Sequence, residues 1–348
     1  MFAKRLSSLR AYKTETSPAR IKLSSNELPY ELPLWLRERV SEELKRVPLN
    51  RYPDPGAQEL KEVIGEFFGV PPENISLGNG SDELIYYLSL CIGEPEEAVY
   101  IPVPTFPMYE IASEVFGRPV AQVRLKEDFE IPLEESLEAV EKHRAVIGFY
   151  SYPNNPTGNL FSRESIEKLR ERGVFTVVDE AYYNYSSESF LEDALTREDT
   201  VVLRTLSKIG LAGLRVGMLI GRREVVEEIE KVRLPFNTTY PSQVIAKVVL
   251  KEGKEFIETS VKSVIEERER VFKELNSIKG VKAFPSRANF ILFKSNMPAG
   301  ELHSKLLSHD VLVRDMSHLP GLEGCLRVSI GKPQENEIFL EAMHNIMR

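Results

Sequence analysis

Four short segments of this 348-residue chain carry side chains suited to chemistry as well as to packing. Gly78-Asn-Gly-Ser-Asp-Glu83 supplies glycines for a tight turn and, from Ser81, the start of a helical pattern whose free N–H groups suit an anion such as phosphate. Taken alone, it reads equally as a turn with a serine cap. Tyr152-Pro-Asn-Asn-Pro-Thr-Gly158 is a rigid loop, either an ordinary turn or a place where a side-chain amide meets a ligand oxygen. Asp179-Glu-Ala-Tyr182 ends the apolar run Val-Phe-Thr-Val-Val, so the Asp179 carboxylate is partly desolvated and needs a partner. A protonated ring nitrogen or a backbone N–H would serve. Thr205-Leu-Ser-Lys208, followed by Gly210-Leu-Ala-Gly-Leu-Arg215, sets an amine and a guanidinium close together. Among 45 lysines and arginines, Lys208 by itself would pass for surface charge.

The elements around these segments give them a common address. Ala98–Pro102, Ala145–Tyr150, Val174–Asp179, Val201–Thr205 and Arg215–Ile220 are short, apolar and closed by polar residues, Pro or Gly, and are predicted as buried strands. Ile75–Leu77 is strand-like. Ser81–Ile92 places Leu84, Ile85, Leu88 and Cys91 on one helical face, and Arg163–Arg172 ends at Gly173. Such alternation predicts an α/β fold with a mainly parallel sheet covered on both sides. Beyond about residue 222 the rhythm changes. A charged helix over about 255–276 precedes strand candidates Asn289–Phe293, Val311–Val313 and Cys325–Ile330, then a last helix Gln334–Met347. The four segments therefore sit at strand ends, where ligands bind in open α/β sheets. A phosphate cradle, an amide, a buried acid with a nearby tyrosine, and a lysine beside a hydroxyl and an arginine are the groups that pyridoxal phosphate requires. The acid keeps its ring nitrogen protonated, and the lysine holds its aldehyde.

Composition narrows the field. The chain is 42% hydrophobic and 28% charged, an ordinary balance with material for a large core and, by length, about two domains. A net charge of −8 and a pI near 5.5 argue against nucleic acid or anionic lipid as partners. No run approaches the ~18 apolar residues of a membrane span, and no apolar stretch follows Lys4, Arg5 and Arg10 as a secretory signal would require. Cys91 and Cys325 both sit in apolar runs, as reduced core thiols of a cytoplasmic protein do.

On these motifs the chain resembles the fold-type I aminotransferases, and within them the histidinol-phosphate aminotransferases. The resemblance runs in order along nearly the whole chain. It takes in Leu23-Ser-Ser-Asn-Glu27, Arg51-Tyr-Pro-Asp54, Pro104-Thr-Phe-Pro-Met-Tyr109, Asn154-Asn-Pro-Thr-Gly158, Leu214-Arg-Val-Gly217, Leu234-Pro-Phe-Asn237, Ala288-Asn-Phe290 and Leu326-Arg327, besides the acid and lysine motifs. It implies a large pyridoxal-phosphate-binding domain over 34–240 with a seven-stranded sheet. A small α+β domain would comprise 1–33 and 241–348. By resemblance Lys208 bonds the cofactor aldehyde and moves the substrate proton, and Asp179 pairs with the ring nitrogen. Asn155 and Tyr182 would meet the ring's phenolic oxygen, and Phe106 would stack on the ring. Ser81, Asp82, Ser207 and Arg215 would hold the cofactor phosphate, with Tyr52 reaching the phosphate of a neighbouring subunit in a homodimer. Arg327 would bind the substrate's carboxylate or phosphate, with Arg314, Asn237, Asn289, Tyr12 and Asn26 on the substrate side. No metal is implied.

The implied reaction is transfer of the amino group of L-histidinol phosphate to 2-oxoglutarate, in histidine biosynthesis. Aromatic or aspartate transamination and threonine-phosphate decarboxylation are alternatives on the same fold; a non-catalytic regulator is a further one, disfavoured by the acidic chain and by Lys208 and Asp179. Two departures from the family pattern stand out. Leu28 precedes Pro29 where the family usually has Asn, and Arg215 follows Lys208 by seven positions, one fewer than in many relatives.

Overall fold

A computed structural model of the chain describes residues 3–7, 9 and 15–348. The first strand, β1 (Ile21–Lys22), is short. The next seven are β2 (Ile75–Asn79), β3 (Ala98–Val103), β4 (Val120–Arg124), β5 (Ala145–Ser151), β6 (Phe175–Asp179), β7 (Thr200–Thr205) and β8 (Val216–Ile220). They form one sheet in the order β2-β8-β7-β6-β5-β3-β4. Only β8 runs against its neighbours, so the sheet is mainly parallel, as expected.

The reason lies in the strand composition. Val177, Leu203 and Leu219 pack into the core on one face of the sheet, while Val178, Val202 and Ile220 pack into the core on the other. Alternate residues of a strand point to opposite faces, so a strand apolar throughout must be covered twice. Each such side chain contributes roughly 1.5–3 kcal/mol when fully buried. Register aligns the chemistry: Ser151 at the end of β5 is paired with Asp179 at the end of β6. Thr205, ending β7, pairs with Gly217 of β8.

The remaining strands are β9 (Val281–Ala283), β10 (Phe290–Ser295), β11 (Val311–Leu312), β12 (Arg314–Asp315) and β13 (Cys325–Ser329). Four of them make an antiparallel sheet in the order β12-β13-β10-β9. The strand expected over Val311–Val313 joins neither large sheet: β11 pairs in parallel with β1, Ile21 opposite Val311. The long charged helix spans Lys254–Ser277, and helix Tyr240–Glu252 packs on Leu34–Leu44 and Gln58–Phe68.

Two expectations need correction. Arg215 is not part of its strand; it sits in the left-handed region at φ 54°, just before β8. An unanticipated strand, β4, closes one edge of the sheet. It has a single neighbour and exposes Gln122 and Arg124, so its apolar run is broken.

Candidate active site

The carboxyl ends of β5, β6 and β7, the start of helix Gly80–Cys91 and the β12/β13 pair surround a cavity of about 410 Å³. Asp179 is buried in its wall, 3% exposed. Tyr109 donates its hydroxyl proton to Asp179 Oδ2 at 2.7 Å, and the Ala181 N–H donates to Oδ1 at 3.1 Å. Burial outweighs these donors and pushes the Asp179 pKa up to about 6. Among the described residues no Lys, Arg or His nitrogen lies within 4.0 Å of this carboxylate. A buried acid with neutral donors alone is chemically incomplete, and a protonated ring nitrogen would complete it.

Lys208 ends the short 3-10 turn Leu206–Lys208 that follows β7. The Thr205 hydroxyl oxygen caps this turn by accepting from the Ser207 N–H at 3.1 Å, and Tyr185 donates to the Lys208 carbonyl at 2.6 Å. The Nζ lies 5.6 Å from the centre of the Tyr182 ring, with the Ser25 carbonyl 3.5 Å away. Burial first, and then the positive charge of Arg327, lower the Lys208 pKa to about 8. An appreciable fraction is therefore neutral near pH 7, as a nucleophile or base requires. The Tyr182 hydroxyl accepts from Asn26 Nδ2 at 3.0 Å; burial raises its pKa.

An anion cradle lies at the other end of the cavity. Ser81 and Asp82 begin the helix, and Arg215 Nη2 reaches Asp82 Oδ2 at 2.8 Å. A Cβ on Gly80, whose φ is +74°, would stand 2.4 Å from Arg215 Nη2. One on Gly217 would stand 2.3 Å from the Ser81 N. Glycine at both positions lets guanidinium and helix start approach the same space. Ser207 and Phe106 also line the cavity, Phe106 resting edge-on against Tyr109. Together the acid, amine, aromatic wall and cradle fit pyridoxal phosphate, the cofactor of this class of enzyme.

The wall formed by β12 and β13 is cationic. Arg314 and Arg327 are directly paired across β12 and β13, and both line the cavity. Arg327 donates through Nη1 to Asn155 Oδ1 and through Nη2 to the Ser24 carbonyl at 2.8 Å. Like charges opposite one another on a sheet are destabilising, so an anion between them would be welcome. Asn26 lines the cavity, and Asn289 donates from behind it to the Asn26 carbonyl at 3.0 Å.

Not every expected residue gathers here. Asn237 lies outside the cavity lining, its Nδ2 given to the Leu77 carbonyl and Glu83. Tyr52 is 80% exposed and stacks on Phe236 at 4.5 Å. Tyr12 falls outside the described residues. The sequence assigns no role to Tyr109, Ser24 or Ser25, because their partners are distant in sequence. The two departures from the family pattern touch each other: a Cβ on Gly210 would sit 3.2 Å from Leu28 Cδ2.

Known proteins share this sequence and fold. The sequence profile described as "Aminotransferase class I and II" matches residues 18–343. The histidinol-phosphate aminotransferase of Aquifex aeolicus is 61% identical over 348 residues, covering 100% of this chain and 98% of that one. The crystal structure of the Clostridium acetobutylicum histidinol-phosphate aminotransferase superposes with a TM-score of 0.84 at 26% identity, covering 94% of this chain and 99% of that one. The Sinorhizobium meliloti enzyme of that name, solved in complex with pyridoxal-5'-phosphate, gives a TM-score of 0.87 at 20% identity over 100% and 97% of the two chains. With its profile match running over residues 18–343, the chain belongs to the class I and II aminotransferases.

Proposed function

We propose that this chain is a histidinol-phosphate aminotransferase, converting L-histidinol phosphate and 2-oxoglutarate to imidazole-acetol phosphate and L-glutamate in histidine biosynthesis. The observation that carries this reading is the full-length 61% identity to the Aquifex protein of that name. The paired Arg314 and Arg327 supply a physical reason for it, since one site must take a phosphate-bearing amine and then a dicarboxylate, and guanidinium suits both.

Pyridoxal phosphate, when bound, supplies an electron sink for the bond broken at the amino-bearing carbon. The rest belongs to the protein. Lys208 Nζ, with its lowered pKa, would hold the cofactor aldehyde and serve as the base that moves the substrate proton. Asp179 would hold a proton on the ring nitrogen of the bound cofactor, since a cationic partner suits its buried carboxylate. Asn155 and Tyr182 would meet the phenolic oxygen, and Phe106 would cover the ring face; all three line the cavity. The N–H groups of Ser81 and Asp82, the Ser207 hydroxyl and Arg215 would hold the cofactor phosphate. Asn26 orients Tyr182 through its 3.0 Å contact, and Asn289 braces Asn26.

Exposure of Tyr52 and its neighbour Phe236 supports a homodimer in which Tyr52 reaches the partner's cofactor phosphate. Units 34–240 and 1–33 with 241–348, and a cytoplasmic location, complete the proposal. No described helix is long and apolar enough to cross a membrane. The test is turnover with L-histidinol phosphate against L-phenylalanine, L-aspartate and L-threonine phosphate. Preference for an ordinary amino acid, or carbon dioxide release from threonine phosphate, would move the chain to another branch of the fold.

A further inference from the structure

A second cavity of about 370 Å³ lies between the edge of the large sheet and the small one. Arg124 and Lys126 reach it from the end of β4 and beyond, and Lys282 and Lys294 from β9 and β10. Lys282 and Lys294 are directly opposite in the β9/β10 register, where like charges repel. Cys325 continues the row on β13, opposite Lys294. Among the described residues no carboxylate oxygen lies within 4.0 Å of the Lys126, Lys282 or Lys294 ammonium. Arg124 has only Glu323, at 3.9 Å. Glu127 is the other acid in the wall, which leaves a surplus of positive charge in a chain whose net charge is −8. The cluster is thus local and against the overall trend. Phe129 and Phe284, packed edge to face at 5.0 Å, give the cavity an apolar side.

We infer that this cavity binds a small polyanion carrying at least two phosphate groups, bridging Arg124 and Lys126 of one sheet to Lys282 and Lys294 of the other. Four cations drawn from the edges of two sheets suit a ligand carrying more than one charge better than a single phosphate. Inorganic pyrophosphate and a nucleoside diphosphate share this chemistry. The aromatic pair gives the nucleotide additional apolar contact.

The site backs onto the catalytic one. Pro104 and Cys325 line this cavity, and two residues on, Phe106 and Arg327 line the other. Any anion titration must therefore separate the two. Binding of pyrophosphate and of ADP to the cofactor-loaded enzyme would be followed by calorimetry, in the wild type, in Lys282→Gln/Lys294→Gln, and in Arg327→Gln. The inference predicts that the double lysine variant weakens binding about tenfold or more, while Arg327→Gln leaves it within about threefold. Tighter binding of ADP than of pyrophosphate would identify the nucleotide as the better ligand; the reverse order would identify the inorganic anion. Both lysines are exposed, and turnover of the double variant without added anion should match wild type. Undetectable binding to the wild type, or binding lost only with Arg327→Gln, would overturn the inference.

Discussion

Tyr109 and Asp179 are 70 residues apart in sequence, yet the tyrosine hydroxyl lies 2.7 Å from the carboxylate in the wall of the cavity. Tyr109 is itself fully buried and stacked on Phe149 at 5.0 Å, so its hydroxyl has little freedom to turn elsewhere. It counteracts the burial that pushes Asp179 toward its neutral form. Tyr109→Phe keeps the stack and removes the donor. A hydrogen bond to a charged group is worth about 1.5–3 kcal/mol, so pyridoxal phosphate should bind about ten- to a hundredfold more weakly. Equilibrium dialysis of the cofactor measures this. The acid limb of the activity profile should also move to higher pH, because the Asp179 pKa rises when a donor to its ionised form is lost. An unchanged cofactor affinity and profile would remove Tyr109 from the site's account.

Lys208 is held at a cost. Its folded pKa of about 8 lies below the 10.5 of a free lysine, so the unfolded chain binds more protons between those values. Without cofactor, stability therefore rises with pH across that window, and the penalty is complete below it. Lys208→Met should abolish transamination, yet raise the stability of the cofactor-free protein at pH 7 by on the order of 2–3 kcal/mol. Denaturant unfolding at pH 7 and pH 10 tests the sign: the variant's advantage should shrink at the higher pH.

The legible part of this molecule was the part governed by short-range pattern. Buried parallel strands such as Phe175–Asp179 announce themselves because both faces are apolar, and catalytic groups follow at their ends. The edge strand Val120–Arg124 was not legible, since one partner and one wet side leave it only a few apolar residues. Contacts between remote segments were equally hidden. Nothing in Leu23-Ser-Ser-Asn-Glu27 says that the Ser24 carbonyl will accept from Arg327, 303 residues away. The role of Asn237 was drawn from resemblance, and its amide is instead taken up by Leu77 and Glu83.

Gly80→Ala addresses the anion cradle. The new Cβ would collide with Arg215 Nη2 and occupy a left-handed φ, so the guanidinium must retreat. Pyridoxal phosphate affinity should fall by about tenfold or more, whereas affinity for dephosphorylated pyridoxal should change little. Equal losses for both ligands would mean that the substitution acts through the fold and not through the cradle.

Arg204 and Glu180 form a buried pair directly behind the site, with Arg204 Nη2 2.9 Å from Glu180 Oε2 and the guanidinium 3.7 Å from the Tyr183 ring centre. Arg204→Met strands the carboxylate and should destabilise the protein by about 3–5 kcal/mol. Adding Glu180→Gln should recover part of this, because the stranded charge is then gone. Thermal unfolding of the two variants gives the comparison; a double variant no more stable than the single one would contradict it.

The proposed role of Lys208 and the Arg314/Arg327 pair is transamination of a phosphorylated amino alcohol. Its most direct test is glutamate formation from 2-oxoglutarate by the cofactor-loaded enzyme, with each candidate amino donor in turn. The account predicts a kcat/KM for L-histidinol phosphate about a hundredfold or more above those for L-phenylalanine, L-aspartate and L-threonine phosphate. Rapid glutamate formation from one of those three, with L-histidinol phosphate inert, would contradict it.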